Sequence, residues 1–440
     1  MADQPTVLYL LHKLLLLLVL AGWIYWLVAT ALVCLFFRHG PKRLDRGTES
    51  STPGPSSSQH EPTVSILKPV KGIDAQAYEN FASFCLQDYP EFELLFGVAD
   101  PADPVIPLVE RMQREFPHLN IRLVIAGALG PNRKAGILHH LAACASHEIL
   151  VVSDSDMRVS PDYLHRVVAP LADPAIGMVT CPYRGDSALT FTARLEALHM
   201  GVTFLPSVLV ARQLLAMRFA MGATMVLRRA DLERAGGFIA VSDYLADDYQ
   251  LAIRISDLGL RVMLSDYVVA SVLGATRFVE QWDREVRWTR TNRANRPVEY
   301  PGLLITFSAP LALVLALLAP ADPLGWRLLA ASVVLRWMLG WITTGYTGDT
   351  EARRWLIWLP VRDMLSALVW CAGGLGRRIH WRGEEYTLEP DGRLVSASSP
   401  CRAAACAWAR NFPHRLCERV GPQRGAATGD QRSNLRAGSS

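Results

Sequence analysis

The chain has 440 residues, half of them hydrophobic and a fifth charged, with 45 Lys and Arg against 41 Asp and Glu. That balance excludes a disordered or collagen-like chain, and a net charge of +4 is too mild to argue for nucleic acid as a partner. Too many charges remain for a wholly membrane-buried protein, so a water-soluble domain joined to membrane helices fits best. The 8 cysteines are scattered with no CxxC pair, which indicates neither a zinc site nor a disulfide framework and reads as reduced thiols facing a cytosol.

In chain order, residues 14–37 carry no Asp, Glu, Lys or Arg. A helix of that length reaches roughly 36 Å, enough for a ~30 Å hydrocarbon core. Phe36-Phe37-Arg38 ends the run where a signal peptide would place small residues, so the segment reads as an uncleaved anchor. Arg38, Lys42, Arg43 and Arg46 follow and place the next segment in the cytoplasm by the positive-inside rule. Residues 47–60, rich in Ser, Pro and Gly, read as a flexible linker.

A different rhythm then sets in. β-rich runs at 64–69, 93–100, 121–126, 149–156 and 178–183 alternate with amphipathic segments at 78–86, 107–116, 134–145 and 161–171. Alternation of this kind predicts an α/β domain, a mostly parallel sheet with helices on both faces. Apolar runs return at 303–320, 328–346 and 355–375. Pro360, Arg362 and Asp363 interrupt the third, as expected of a re-entrant or interfacial helix rather than a plain span. The tail from about Ser396 has no apolar period and reads as unstructured. The expected organisation is an anchor over 1–38, a linker over 39–61, a cytoplasmic domain over 62–300, membrane helices with a post-helix segment over 301–394, and a disordered tail over 395–440.

Ligands of such sheets bind beyond the carboxyl ends of the strands, and two strands end in acids. One reaches Asp100 directly before Pro101; the other runs into Asp154-Ser155-Asp156. There is no GxGxxG after the first strand and no GxxxxGK[ST], which disfavours a dinucleotide dehydrogenase and a P-loop NTPase. Carboxylates two apart at a frayed strand end can meet one hard dication that shares its shell with phosphate oxygens; the bland alternative is a solvated turn. Downstream, Asp247-Asp248 offers a general base for an acceptor hydroxyl, or else simply favourable charge at a helix N-terminus. In Arg284-Glu285-Val286-Arg287-Trp288, the two arginines and the indole share a helix face. They suit a diphosphate beside a flat ring, or alternatively a basic aromatic belt at a membrane surface.

Taken in order, Asp100, Asp154-Ser155-Asp156, Asp247-Asp248 and the Arg-x-x-Arg-Trp element resemble the ceramide-glucosyltransferase-like family of inverting, metal-dependent GT-A glycosyltransferases. Further segments carry the resemblance over roughly residues 64–388. They are Ile66-Leu67-Lys68-Pro69-Val70-Lys71-Gly72, Gln87-Asp88-Tyr89-Pro90, Asn132-Arg133-Lys134, Gly236-Gly237-Phe238 and Ile379-His380-Trp381-Arg382. Within the family, residues 96–104, 204–212 and 245–249 are similar to the bacterial hopanoid-biosynthesis branch, which puts N-acetylglucosamine on bacteriohopanetetrol. Two departures from the ceramide enzymes stand out: Asp156 where they usually carry Gly, and apolar Phe204-Leu205-Pro206 where they carry His-Pro.

The resemblance implies a Rossmann-like nucleotide-sugar domain of GT-A type with one N-terminal and two to three C-terminal membrane helices, in a bacterial inner membrane. It implies that Lys68, Pro69 and Asp100 hold the uridine of a UDP-sugar. Asp154 and Asp156 would hold Mg²⁺ or Mn²⁺ and the diphosphate, with Lys134 assisting. Asp248 would be the base, with Asp247 as fallback, and Arg287 with Arg284 and Trp288 would stabilise the departing UDP. The acceptor would be a membrane lipid, a hopanoid ahead of ceramide. A processive polysaccharide synthase shares these motifs but normally has more helices, and a non-enzymatic scaffold would be expected to have lost some of the acids.

Overall fold

The computed structural model describes residues 4–38, 61–127, 129–381 and 384–396. The expected linker at 47–60, the tail beyond 396 and Arg382 of the late motif lie outside them. Helix α1, Gln4–Arg38, is the N-terminal apolar segment. The α/β domain then opens with β1 (Val64–Pro69), α2 (Ala77–Cys85), β2 (Phe92–Val98), α3 (Ile106–Glu115), β3 (Asn120–Ile125), α4 (Arg133–Cys144) and β4 (Ile149–Ser153). Each expected element is present within a few residues. The exceptions fall at strand ends: Asp100 lies beyond β2, and Asp154 to Asp156 form a turn that leads into the short β5, Met157–Arg158.

The second half of the domain is less regular. Helix α5 (Tyr163–Val168) precedes β6 (Ile176–Thr180) and β7 (Tyr183–Ala188). Hydropathy merges the last two into one run, but Cys181-Pro182 separates them, since proline has no N–H for the ladder. Next come α6 (Phe191–His199), α7 (Leu205–Leu215), β8 (Thr224–Arg228), α8 (Arg229–Arg234), α9 (Asp247–Asp257), β9 (Arg261–Leu264), β10 (Val269–Gly274) and α10 (Phe278–Asn295).

Seven strands form one sheet in the order β3-β2-β1-β4-β8-β6-β9. Only β8 runs against its neighbours, pairing antiparallel with β4 and β6. This is the GT-A-type α/β arrangement expected. Strand residues alternate between two cores: Ile66, Leu94, Phe96 and Val151 pack under α2, α3 and α5, whereas Leu67, Leu95, Leu150 and Val152 pack under α4 and α9. Burying each such side chain is worth on the order of 1.5–3 kcal/mol, which fixes the register and so fixes where the strand-end acids emerge. A second sheet, β5-β10-β7, stands beside the first on the carboxyl side of β4.

Among the described residues, four helices are long and apolar enough to cross a membrane: Val7–Arg38, Phe191–Leu215, Pro323–Thr347 and Leu356–Gly373. The last two contain α12 (Pro323–Thr347) and, after α13 (Thr350–Arg354), α14 (Leu359–Gly373). A 3₁₀ turn, Tyr300–Thr306, meets α11 (Ser308–Leu318) at 75°. Leu15 and Val19 of α1 pack with Leu311, Ala312, Leu315 and Leu328. Trp23 Nε1 donates to Ser332 Oγ at 2.8 Å.

The α6–α7 helix is not expected from hydropathy, because Glu196, His199 and Arg212 interrupt its sequence. Both of its flanking strands belong to the α/β domain, β7 beside β10 and β8 beside β4. A single crossing would put those strands on opposite sides of a bilayer, so the helix lies along the domain. The described residues end with three antiparallel strands, β11 (Arg378–Trp381), β12 (Glu384–Leu388) and β13 (Leu394–Ser396).

Arg362 and Asp363, which seemed to interrupt the last apolar run, face inward. Arg336 of α12 donates to both carboxylate oxygens of Asp363 at 2.9 and 3.0 Å. Arg362 donates to both oxygens of Glu285 on α10 at 2.9 and 2.7 Å. All four side chains are buried, as intramembrane charges are when they pair with one another.

Candidate active site

The site forms where β1 and β4 end side by side. Their parallel register pairs Leu67 with Val152, so the next residue on each strand, Lys68 and Ser153, are neighbours. Lys68 is completely buried. Its ammonium donates to the backbone oxygen of Asp154 at 2.9 Å and to Ser153 Oγ at 3.3 Å, and lies 3.6 Å from the centroid of the Phe84 ring. Burial pulls its pKa down to about 7 despite the nearby charges of Asp154, Asp156 and Asp74. The resemblance implies that Lys68 helps to hold the uridine; here its ammonium lies beneath the acidic turn and holds its backbone. An amphipathic strand end reads as exposed in sequence, and here the register buries it.

Three carboxylates converge above that lysine. Asp154, a third exposed, meets Lys134 Nζ at 2.6 Å. Asp156 Oδ2 accepts from Ser271 Oγ of β10 at 2.9 Å, and burial together with the charges of Asp154 and Asp74 pushes its carboxyl up to about 7. Asp74 Oδ2 accepts from Ser155 Oγ. Asp74 was not singled out from the sequence, although it follows the Lys71-Gly72 turn at the end of β1 and the strand-end rule points to it. This surplus of negative charge, with Asp154 still open to solvent, suits a hard dication whose remaining ligands are water and diphosphate oxygens. Among the described residues no group of three or more His, Cys, Asp or Glu is placed to enclose a metal by itself.

On the opposite wall, α9 begins with the second acidic pair. Asp248 Oδ2 accepts from the Gly222 N–H at 2.8 Å and Oδ1 from the Tyr249 N–H at 2.7 Å. Burial first, then the charge of Asp247, raises the Asp248 carboxyl to about 6, with Lys134 and the two N–H donors opposing the rise. Asp247 Oδ1 accepts from Asn132 Nδ2 at 3.2 Å, and its Oδ2 is buried with no hydrogen-bond partner among the described residues. Asn132 also caps α4 through the Ala135 N–H, and so ties the helix that carries Lys134 to the acidic pair. Burial would lower Lys134, but Asp154, Asp247 and Asp248 together hold its ammonium well above the usual range. A Cβ at position 222 would sit 3.1 Å from Lys134 Nζ and 3.3 Å from Asp248 Oδ2, so a larger residue there would press on both side chains.

The remaining expected residues are dispersed around this centre. Asp100 is exposed and accepts from the Ala102 N–H at 2.8 Å; Pro69 is buried at the end of β1 opposite Gly97. The acid that shapes the loop is Asp103. It is buried, and both its oxygens accept from the Gly72 N–H at 3.0 Å, where φ is +71°. Arg284, expected at the diphosphate, instead donates to buried Glu196 of α6 at 2.6 Å. It keeps Trp288 within 6.0 Å of its guanidinium carbon. Trp288 is exposed and Arg287 half-buried on the same helix.

Tyr183, missed in the sequence because it opens a strand hidden in a longer apolar run, lies among Asp248, Glu196, Asp156 and Asp154. Burial first, then those charges, pushes its hydroxyl above its ordinary range. Its ring lies 5.0 Å from that of Phe204. Phe204 ends a π-helical turn, Met200–Phe204, between α6 and α7. Pro206 has no N–H to offer the Val202 carbonyl, and Arg336 Nη1 donates to it instead at 3.4 Å. Around Phe204, an apolar cluster of Val33, Leu205, Val208, Leu209, Met221 and Leu264 joins the end of α1 to the residue before Gly222.

Comparison with known proteins places these features. The family described as Glycosyl transferase family 21 matches residues 17–394. Ceramide glucosyltransferase 1 of Caenorhabditis elegans is 25% identical over 393 residues, which is 87% of this chain and 82% of the relative. Beta-monoglucosyldiacylglycerol synthase of a Synechocystis strain is 24% identical over 276 residues, 61% of this chain and 55% of the relative. Among solved structures, a Pyrobaculum calidifontis mannosyltransferase in complex with GDP-Man and Mn2+ superposes with a TM-score of 0.47 at 20% identity, covering 81% of this chain and 98% of that one.

Proposed function

The chain belongs to glycosyl transferase family 21, and from that premise we propose that it moves one sugar from a UDP-sugar, UDP-N-acetylglucosamine first among them, to a hydroxyl of a membrane lipid of the bacteriohopanetetrol type. The observation that carries the lipid acceptor is the apolar cluster that runs from the end of α1 through Phe204 and Leu205 to Met221, the residue before Gly222. The cluster holds the end of α1 against the segment whose Gly222 N–H bonds Asp248, so the base sits close to a helix apolar enough to enter a bilayer. The 62–300 domain would face the cytoplasm of a bacterial inner membrane, consistent with Arg38 at the end of α1.

Asp248 would take the acceptor proton as its oxygen attacks the anomeric carbon and UDP departs from the opposite face, inverting the linkage. Its raised pKa, about 6, keeps it ionised near neutral pH while making it a better proton acceptor than an ordinary aspartate. Asp154 and Asp156, steadied by Lys68 beneath, would hold a divalent cation, and Asp100 would contact the uridine. Bound there, the cation would supply neutralisation of the departing diphosphate. Lys134 would hold positive charge between that diphosphate and the base.

The hopanoid choice rests on Phe204-Leu205-Pro206. Leu205 and Pro206 are buried and Phe204 is half-buried beside Tyr183, so the stretch offers no polar side chain to a sphingoid amide, which left unpaired would lose about 1–3 kcal/mol. A second reading, glucose transfer to ceramide, is favoured by the likeness to the nematode ceramide glucosyltransferase. Membranes containing the protein, incubated with labelled UDP-N-acetylglucosamine or UDP-glucose and each lipid, separate the two by the mass of the product. Faster modification of ceramide at matched loading overturns the hopanoid reading; long polymer would point to a processive synthase.

A further inference from the structure

Helix α10 carries the Arg-x-x-Arg-Trp element, and two consecutive residues on it reach buried partners in opposite senses. Arg284 donates to Glu196 of α6 at 2.6 Å. Glu285 accepts from Arg362 of α14 at 2.7 and 2.9 Å, and from Gln281 Nε2 at 2.7 Å. Consecutive residues project about 100° apart around a helix. Two stiff, charge-assisted contacts at that angle, one to a cation and one to an anion, leave α10 no freedom to roll. The same turn of α14 supplies Asp363 to Arg336 of α12, so the contact that orients α10 is itself anchored in the helical bundle. The chain of contacts also runs toward the chemistry: the charge of Glu196 is felt at Tyr183, together with those of Asp248 and Asp154.

We propose that Arg362 and Glu285 are positioning residues for sugar transfer: their bidentate pair sets the rotation of α10, and with it the placement of Arg287 and Trp288, from α14, which carries none of the acids of the site. The inference rests on the transfer reaction proposed above for the consequence at the active site, but the coupling itself is a property of the fold. Neither residue is needed for the acidic turn, so loss of the pair lowers turnover without removing the donor site. A role in folding alone would instead reduce the number of donor sites and leave turnover per site unchanged.

The test uses the full chain in detergent or nanodiscs, as wild type, Arg362→Gln, Glu285→Gln and the reversed pair Glu285→Arg with Arg362→Glu. Arg362→Lys is a further variant that keeps charge but loses the fork. Each protein is measured for UDP binding in the presence of Mn²⁺, for turnover per UDP site, and for amide hydrogen exchange over residues 284–291. In the single variants we expect UDP affinity and stoichiometry near wild type and turnover per site reduced about tenfold or more, the scale of a small misplacement of a reacting group. Exchange over that stretch should be faster. The reversed pair should recover most of both losses, and Arg362→Lys part of them; should the reversed pair not fold, the Lys variant carries the rescue. Wild-type turnover per site in both single variants, or losses explained wholly by missing UDP sites, overturns the proposal. Exchange is read without substrate, so acceleration that the reversed pair reverses supports the coupling even where no tested lipid is glycosylated. Unchanged exchange rejects it whatever the lipid.

Discussion

Replacing Arg336 by leucine should be among the most destabilising single changes in this chain, and a second substitution should repair it. The guanidinium is 2% exposed and donates to both oxygens of Asp363, to Thr203 Oγ1 at 3.0 Å and to the Val202 carbonyl, with the Trp26 ring centroid 3.6 Å away. Its removal leaves the Asp363 carboxylate buried without a cation, a loss of about 3–5 kcal/mol. Asp363→Leu should cost a similar amount by stranding the arginine. Changing both to leucine removes the desolvation penalty of both charges, which alone is neutral or stabilising by about 1–4 kcal/mol. The double variant still lacks a donor for the Val202 carbonyl, which Pro206 cannot supply, and that orphan costs about 1–3 kcal/mol. The double variant should therefore lie within about 3 kcal/mol of wild type in either direction, less damaged than either single variant. Equilibrium unfolding in detergent micelles, followed by tryptophan emission, measures all four corners of the cycle. If the double variant is as unstable as the sum of its singles, Arg336 and Asp363 are not coupled and the inward-facing account of α12 and α14 fails.

Three further outcomes follow from the site. Asp248→Asn should bind UDP with metal as wild type does and lose about 10²–10⁴-fold in transfer; normal turnover would remove Asp248 from the mechanism. Because the base must be ionised, wild-type transfer should be full above neutral pH and fall as pH drops through about 6, and a profile flat to pH 5 would show that another group takes the proton. Asp103→Ala frees the Gly72 and Val105 N–H groups, bonds to a carboxylate worth about 1.5–3 kcal/mol each. It should therefore weaken UDP binding about tenfold by loosening the loop that carries Asp74, measured by calorimetry with Mn²⁺ present.

Elements whose identity depends on local pattern could be read from the sequence. Val64–Pro69 alternates its side chains between two cores and is followed by a breaker, and its limits coincide with the observed strand. The Asp154 and Asp247 acidic clusters were visible because acids beside apolar runs are uncommon, and the fold brings both to Lys134. What pairing decides was not legible. Lys68 looks like an exposed strand-end cation until its neighbour strand is known, and Arg362 and Asp363 look like interruptions of a span until Glu285 and Arg336 are placed opposite them. Arg284 could not be told apart from Arg287 by spacing, since both lie on one face and the pairing of Arg284 with Glu196 depends on where α6 packs. Phe191–Leu215 escaped notice for a similar reason, Glu196 being a charge that pairs inside with Arg284.

The three terminal strands give the order of synthesis a chemical meaning. Leu394 donates its N–H to Asp243 at 2.7 Å, Arg393 bridges Tyr244, Glu384 pairs with Arg133, and Leu388 packs with Leu394 beside Leu245. Every one of those partners lies in the loop before Asp247 or at the start of α4, yet the strands are translated only after the last apolar helix. The ribosome thus delivers both acidic motifs long before the segment that braces them. A chain cut after α14 would keep every acid of the site while losing these contacts to the loop before Asp247 and to the start of α4.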